Sequence, residues 1–162
     1  MCKNKTFLKN IFFVYLPDVF RTKEMQQVAL EHPYAYNVER LVEIALARVG
    51  GYEFVDGDGY DFYPDFSDCK TTTVNENTHV VTISSVENKI GALRICCYNY
   101  LKESVDFFFI PKEKLQEVAS PCYGKNSHKK RILAKYNAVK DHYNQFEQYR
   151  VKDFETLAKS IG

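Results

Sequence analysis

Asp68-Cys69-Lys70 places a carboxylate and an ammonium two residues apart. If that run is a strand, Asp68 and Lys70 share one face while Cys69 turns toward the core. Asp61 lies upstream in Tyr60-Asp61-Phe62-Tyr63, a second strand candidate separated from the first by the turn-forming Pro64-Asp65. Antiparallel pairing across that turn would carry Asp61 toward Asp68. Two carboxylates brought together repel unless a cation sits between them. Mg²⁺ takes such hard oxygen ligands, usually one or two carboxylates completed by waters and phosphate oxygens. A calcium-loop reading of Asp56-Gly57-Asp58-Gly59-Tyr60-Asp61 fails. Its sixth position is Asp61 where glycine is required, and its twelfth is Ser67 where a bidentate glutamate is required.

The elements that must position these groups follow from periodicity and punctuation. A helix over Thr22 to Glu31 ends at His32-Pro33, because proline disfavours helical geometry in the residue before it. A better one starts at Asn37, with Val38, Leu41, Val42, Ala45 and Val49 at helical spacing until Gly50-Gly51. Glu39 and Glu43 sit four apart at the edge of its apolar stripe, and Glu43 is expected to be exposed. Strands are expected over residues 52–55, 60–63, 66–74, 79–84, 92–98 and 105–110, the last closed by Pro111. Helices are expected over 112–119, 127–149 and 153–160. The pattern predicts one α/β (α+β) domain over residues 1–162, a mixed central sheet flanked by helices. Residues 1–36 form an N-terminal extension, 37–110 the core with the metal site, and 111–162 a helical, basic C-terminal part.

The order of these pieces resembles the PD-(D/E)xK nuclease superfamily, the restriction-endonuclease-like fold. In that family a glutamate-bearing helix precedes a strand with an aspartate and then a strand with the (D/E)xK element. Glu39 to Val49, Tyr60-Asp61-Phe62 and Asp68-Cys69-Lys70-Thr71 occur here in that order, and the resemblance covers roughly Asn37 to Val74. It implies a Mg²⁺-dependent endonuclease, with Mn²⁺ as a substitute. Asp61 and Asp68 would hold the ion against the scissile phosphate, where it polarises an oxygen and activates a bound water. Lys70 would orient or deprotonate that water and stabilise developing charge. Glu39 would complete the metal shell. The chain departs from the pattern at three points. Asp61 and Asp68 are close together, which leaves Asp58 as a rival first aspartate; the literal Pro64-Asp65 is closer still to Asp68; and no helix is evident between Val74 and Ile110.

Charge is divided unevenly. Residues 1–80 carry 8 basic and 12 acidic side chains, while residues 81–162 carry 14 and 9. No acidic residue interrupts Ala119 to Lys140, where Lys125, Lys129, Lys130, Arg131, Lys135 and Lys140 are candidate phosphate contacts. Lys129 to Arg131 would meet phosphates near a helix start. Such contacts position a nucleic acid without reading its sequence. A solvated basic face would look the same.

Composition narrows the field further. With 45% hydrophobic and 27% charged residues, the chain matches a folded globular domain and neither a disordered nor a fibrous protein. The apolar N-terminal run Ile11 to Leu16 is too short to span a bilayer and is stopped by Pro17, so the expectation is a cytoplasmic protein without membrane contact. Five cysteines without a CxxC pair, and four histidines without metal-ligand spacing, argue against a disulfide framework and a structural zinc. Nucleotide-binding glycine loops and the GxSxG serine elbow are missing from the sequence. The expected partner is nucleic acid, DNA over RNA, cut by a homodimer. The rival expectations are a non-catalytic nucleic-acid-binding or regulatory protein and an immunity-type interaction domain.

Overall fold

The computed structural model describes residues 37–55 and 59–161. The expected helix over residues 22–31 and the rival ligand Asp58 lie outside them. Helix α1 (Asn37–Gly50) is followed by the short hairpin strands β1 (Glu53–Phe54) and β2 (Phe62–Tyr63), then β3 (Asp68–Val74), β4 (Val80–Ile83), β5 (Leu93–Asn99) and β6 (Ser104–Ile110). Helix α2 (Lys112–Val118), strands β7 (Ser120–Pro121), β8 (Lys130–Asn137), β9 (His142–Tyr143) and β10 (Arg150–Val151), and helix α3 (Phe154–Lys159) complete the chain. The result is a mixed α+β fold built on a mixed sheet with few helices.

The central sheet has the order β10-β6-β5-β3, with β3 parallel to β5 and the other neighbours antiparallel. Every residue of β5 is buried, because both faces of this strand are covered. Arg94, Cys96 and Tyr98 face one side, where Leu41, Val42 and Leu46 of α1 and Phe154 and Leu157 of α3 pack against Cys69, Phe107 and Phe109. Leu93, Ile95 and Cys97 face the other, against Val81, Ile83, Ile132, Ala134, Tyr143 and Phe146. That second face is closed by a smaller antiparallel sheet of order β4-β8-β7, with β9 beside β8. A Cβ on Gly50 would stand 2.5 Å from the Ala158 carbonyl oxygen, so the end of α1 presses directly on α3.

The expected helix over residues 127–149 is replaced by β8, β9 and turns. Ile132, Ala134 and Tyr136 are buried while Leu133, Lys135 and Asn137 are exposed, a period of two. The abundance of lysine masked that alternation. The C-terminal part is consequently not a helical appendage: β10 pairs with β6 in the central sheet.

A polar network holds the second core at the far end of β5. Asp106, 6% exposed, accepts hydrogen bonds from the Tyr143 hydroxyl at 2.5 Å, Lys102 Nζ at 2.6 Å and Arg150 Nη1 at 3.0 Å. Arg150 also pairs with Glu147 at 2.7 Å, and Lys102 with Asp141 at 2.8 Å. Burial and the neighbouring Cys97 and Asp106 hold the Tyr143 hydroxyl well above its ordinary pKa, so it stays a donor. Asp106→Ala leaves two cations and a phenol without their shared acceptor. It should cost about 3–5 kcal/mol and lower the melting temperature by about 6–20 °C, read by thermal circular dichroism.

Candidate metal centre

The loop between β2 and β3 brings Asp61 to Asp68. Asp61 N–H and Phe62 N–H both donate to the Ser67 carbonyl, at 3.0 and 3.2 Å, and Phe66 N–H donates back to Phe62 at 3.0 Å. Residues 61–67 thus form a closed loop rather than the extended pairing expected from sequence. The Asp65 carboxylate accepts from Ser67 N–H and Oγ, at 2.9 and 2.7 Å, and from Arg94 Nη2 at 2.9 Å. Asp65 therefore serves the loop. Gly91 lets the loop approach β5: a Cβ there would stand 2.2 Å from the Phe66 carbonyl oxygen. Tyr60 and Tyr63 meet Phe66 edge-on at 5.0 and 6.0 Å, capping the loop from outside.

Among the described residues strand β3 is the edge of the central sheet, so alternate N–H groups along it have no strand partner among them. At Cys69 this N–H donates to Asp61 Oδ2 at 2.8 Å and to Asp68 Oδ1 at 3.1 Å. The Asp61 and Asp68 carboxyls thus converge on one N–H. Burial, followed by the proximity and charge of Asp68 and the charge of Glu43, pushes the Asp61 carboxyl up to about 8, although the Cys69 N–H works against the shift.

The glutamate whose charge reaches this pair is Glu43, not Glu39. Glu43 is mostly buried, lies 3.9 Å from Arg40 Nε, and acts on both Asp61 and Cys69. Glu39 is exposed one turn earlier, and its charge is felt at Tyr98, the register partner of Thr73 near the far end of β3. A stripe-edge position did not distinguish two glutamates four residues apart. Cys69 does face the core, 8% exposed. Lys70 shares the Asp68 face of β3, partly exposed and in no ion pair with a described residue. Lys89, which the sequence did not single out, ion-pairs with Asp68 Oδ2.

The basic segment lies beside this centre through one turn of chain. Lys130 N–H donates to Glu87 Oε2 at 2.8 Å, holding the start of β8 against the 3-10 turn Val86–Asn88 that precedes Lys89. That hydrogen bond leads the causes that lower the Glu87 pKa, with Lys129 and His128 contributing charge. Lys125, Lys129 and Lys135 are exposed, Arg131 is partly buried, and Lys130 Nζ donates to Gln116 at 3.1 Å. Lys129 to Arg131 thus meet solvent at a strand start, without the helix N-terminus expected to help bind phosphate.

Among the described residues no three His, Cys, Asp or Glu side chains converge as a ligand set. The donor chemistry still fits Mg²⁺, which needs only one or two protein carboxylates and keeps its waters. The two aspartates converge on one N–H, and an ammonium already sits on Asp68. No family model matches the chain, and no curated protein matches it. Among the described residues no helix is long and apolar enough to cross a membrane.

The raised Asp61 pKa has a consequence for stability without metal. Its folded-state value lies above the ordinary aspartate value of 3.8, so between about pH 4 and 8 the folded state holds more protons than the unfolded one. Stability accordingly falls as pH rises through that window. Asp61→Asn keeps an acceptor for Cys69 N–H and removes the penalty. In chelator at pH 8.5 it should melt about 2–4 °C above wild type, about 1 kcal/mol after solvent screening, and the gain should vanish below pH 4. A melting curve against pH checks both.

Proposed function

We propose that the protein is a Mg²⁺-dependent endonuclease acting on DNA, with a restriction-endonuclease-like core. The observation that carries this reading is the convergence of Asp61 and Asp68 on the Cys69 N–H at the edge of β3, with Lys70 on the Asp68 face. Glu43 in the place expected of Glu39, and the basic segment anchored beside the centre, support it.

Asp61 would hold the ion through Oδ1, and Asp68 through Oδ2, the oxygen that Lys89 occupies. When bound, Mg²⁺ supplies a polarised phosphoryl oxygen and a more acidic water. Lys70 stands on the Asp68 face, suited to orienting the attacking water and stabilising charge on the phosphate oxygens. Glu43 adds negative charge from α1 and tightens the hold on the cation. Lys125, Lys129, Lys130, Arg131 and Lys135 would engage flanking phosphates, giving affinity that falls with salt.

The Lys89–Asp68 ion pair favours a second reading, a nucleic-acid-binding protein in which the aspartates are satisfied without metal. Incubation with plasmid DNA and with RNA, in Mg²⁺ or chelator, separates the two. Hydrolysis requires DNA cleavage in Mg²⁺ only, with Asp68→Ala and Lys70→Ala each reducing the rate at least about 100-fold. Glu43→Gln should cost more than Glu39→Gln. Intact polymers across divalent ions and pH, with salt-sensitive retention in a filter assay, would establish the binding protein instead.

A further inference from the structure

Lys89 leaves the turn Val86–Asn88 with its own N–H bonded to the Val86 carbonyl at 3.2 Å. The Glu87 hydrogen bond to Lys130 and the fully buried Val86 side chain fix that turn. From this anchor the Lys89 side chain reaches Asp68 Oδ2, with only 18% and 15% of the two side chains exposed. Lysine ordinarily keeps its ammonium in water. Here the ammonium is drawn inward onto one of two mutually repelling carboxyls, while Lys70 on the same strand is left without an ion pair to a described residue.

We infer that Lys89 is the resident counter-ion of Asp68, which a divalent cation must displace, so that metal loading frees the Lys89 charge for an incoming phosphate. The inference rests on the metal-site reading above. An ammonium and Mg²⁺ cannot keep the same carboxylate oxygen, because like charges a few ångströms apart in a site poor in water repel strongly. The four-carbon stem lets the ammonium swing while its turn stays in place. Once released, it extends from the turn that the Glu87–Lys130 hydrogen bond fastens to the start of β8, so the freed charge joins the basic segment. The cost of displacing it sets metal affinity below that of the bare carboxyl pair.

Mn²⁺ binding without nucleic acid, measured by calorimetry on wild type, Lys89→Met, Lys89→Gln and Lys159→Met, tests this. Removing Lys89 should tighten Mn²⁺ binding about five- to tenfold, whereas Lys159→Met, at an exposed lysine on α3, should change it by less than about twofold. Folded Lys89 variants that bind Mn²⁺ no more tightly than wild type overturn the inference. A second measurement needs no destabilised variant: lysine ammonium NMR of wild type titrated with Mg²⁺, with the Lys89 signal assigned by its loss in Lys89→Arg. That signal should be protected without metal and exchange-broadened at saturation. If it is unchanged while the aspartate carboxyl signals saturate, the inference fails. Absence of Mn²⁺ binding in every protein would sink both this inference and the metal-site reading. Tightened binding in Lys89→Met without any DNA cleavage would uphold the inference and sink the hydrolytic reading alone.

Discussion

The guanidinium of Arg94 is the constraint around which the site is built. It rises from the central strand β5 and is completely buried, a placement that is very costly for a charge unless its donors are matched. Nε donates to Ser67 Oγ at 3.2 Å, while Nη2 donates to Tyr52 Oη at 3.1 Å, Asp65 Oδ2 at 2.9 Å and the Ser160 carbonyl at 2.9 Å. Nη1 donates to the Leu157 carbonyl. Those carbonyls belong to the end of α3, where partial negative charge accumulates. The rings of Tyr52, Phe62 and Phe109 surround the cation within 6 Å. One side chain therefore ties together the exit from α1, the 61–67 loop and the final helix. Asp61 points where it does because both ends of its loop are fixed by this arrangement.

Two polar clusters occupy opposite ends of β5, and their charge balance separates them. Around Asp106, Lys102 and Arg150 meet Asp106, Asp141 and Glu147 with a phenol and an amide filling the remaining valences. Asp141 and Glu147 are held below their ordinary pKa values, where hydrogen bonds from Lys102 and from Arg150 outweigh desolvation. That is the signature of a structural network. Around Asp68 the balance differs: Lys89 alone pairs with Asp68, and burial raises the Asp61 carboxyl beside it.

The sequence was most legible where short-range periodicity governs. The alternation Asp68, Cys69, Lys70 holds because the strand period is exact, and all six expected strands match observed ones, the first two shortened. Residues 127–149 were misread because lysine and asparagine hid the buried Ile132, Ala134 and Tyr136, whose spacing reads as a strand. Glu39 and Glu43 occupy adjacent turns of one face, and only the docking of α1 on β3 decides between them. Lys89 left no local mark. Its role depends on the turn before β5 reaching Asp68 across 21 residues of chain, a tertiary fact with no counterpart in composition. The Arg94–Asp65 pair is of the same kind, joining residues 29 apart.

The edge position of β3 connects fold to proposed chemistry. An unpaired N–H on an edge strand invites pairing with another chain, and proteins commonly blunt such edges with charge. Here the Cys69 N–H is occupied by Asp61 Oδ2, so one carboxyl both closes the edge and enters the candidate metal site. The two duties use different atoms. Oδ2 is committed to the backbone, which leaves the lone pairs of Oδ1 for a proton or an ion. A cation arriving at the pair would replace the proton on Asp61 without breaking the bond that seats it. The group can therefore change its ligand while the strand edge remains closed. A central strand, with both rows of N–H groups already paired, would offer no such seat; a solvated loop would not hold the carboxyl against Asp68.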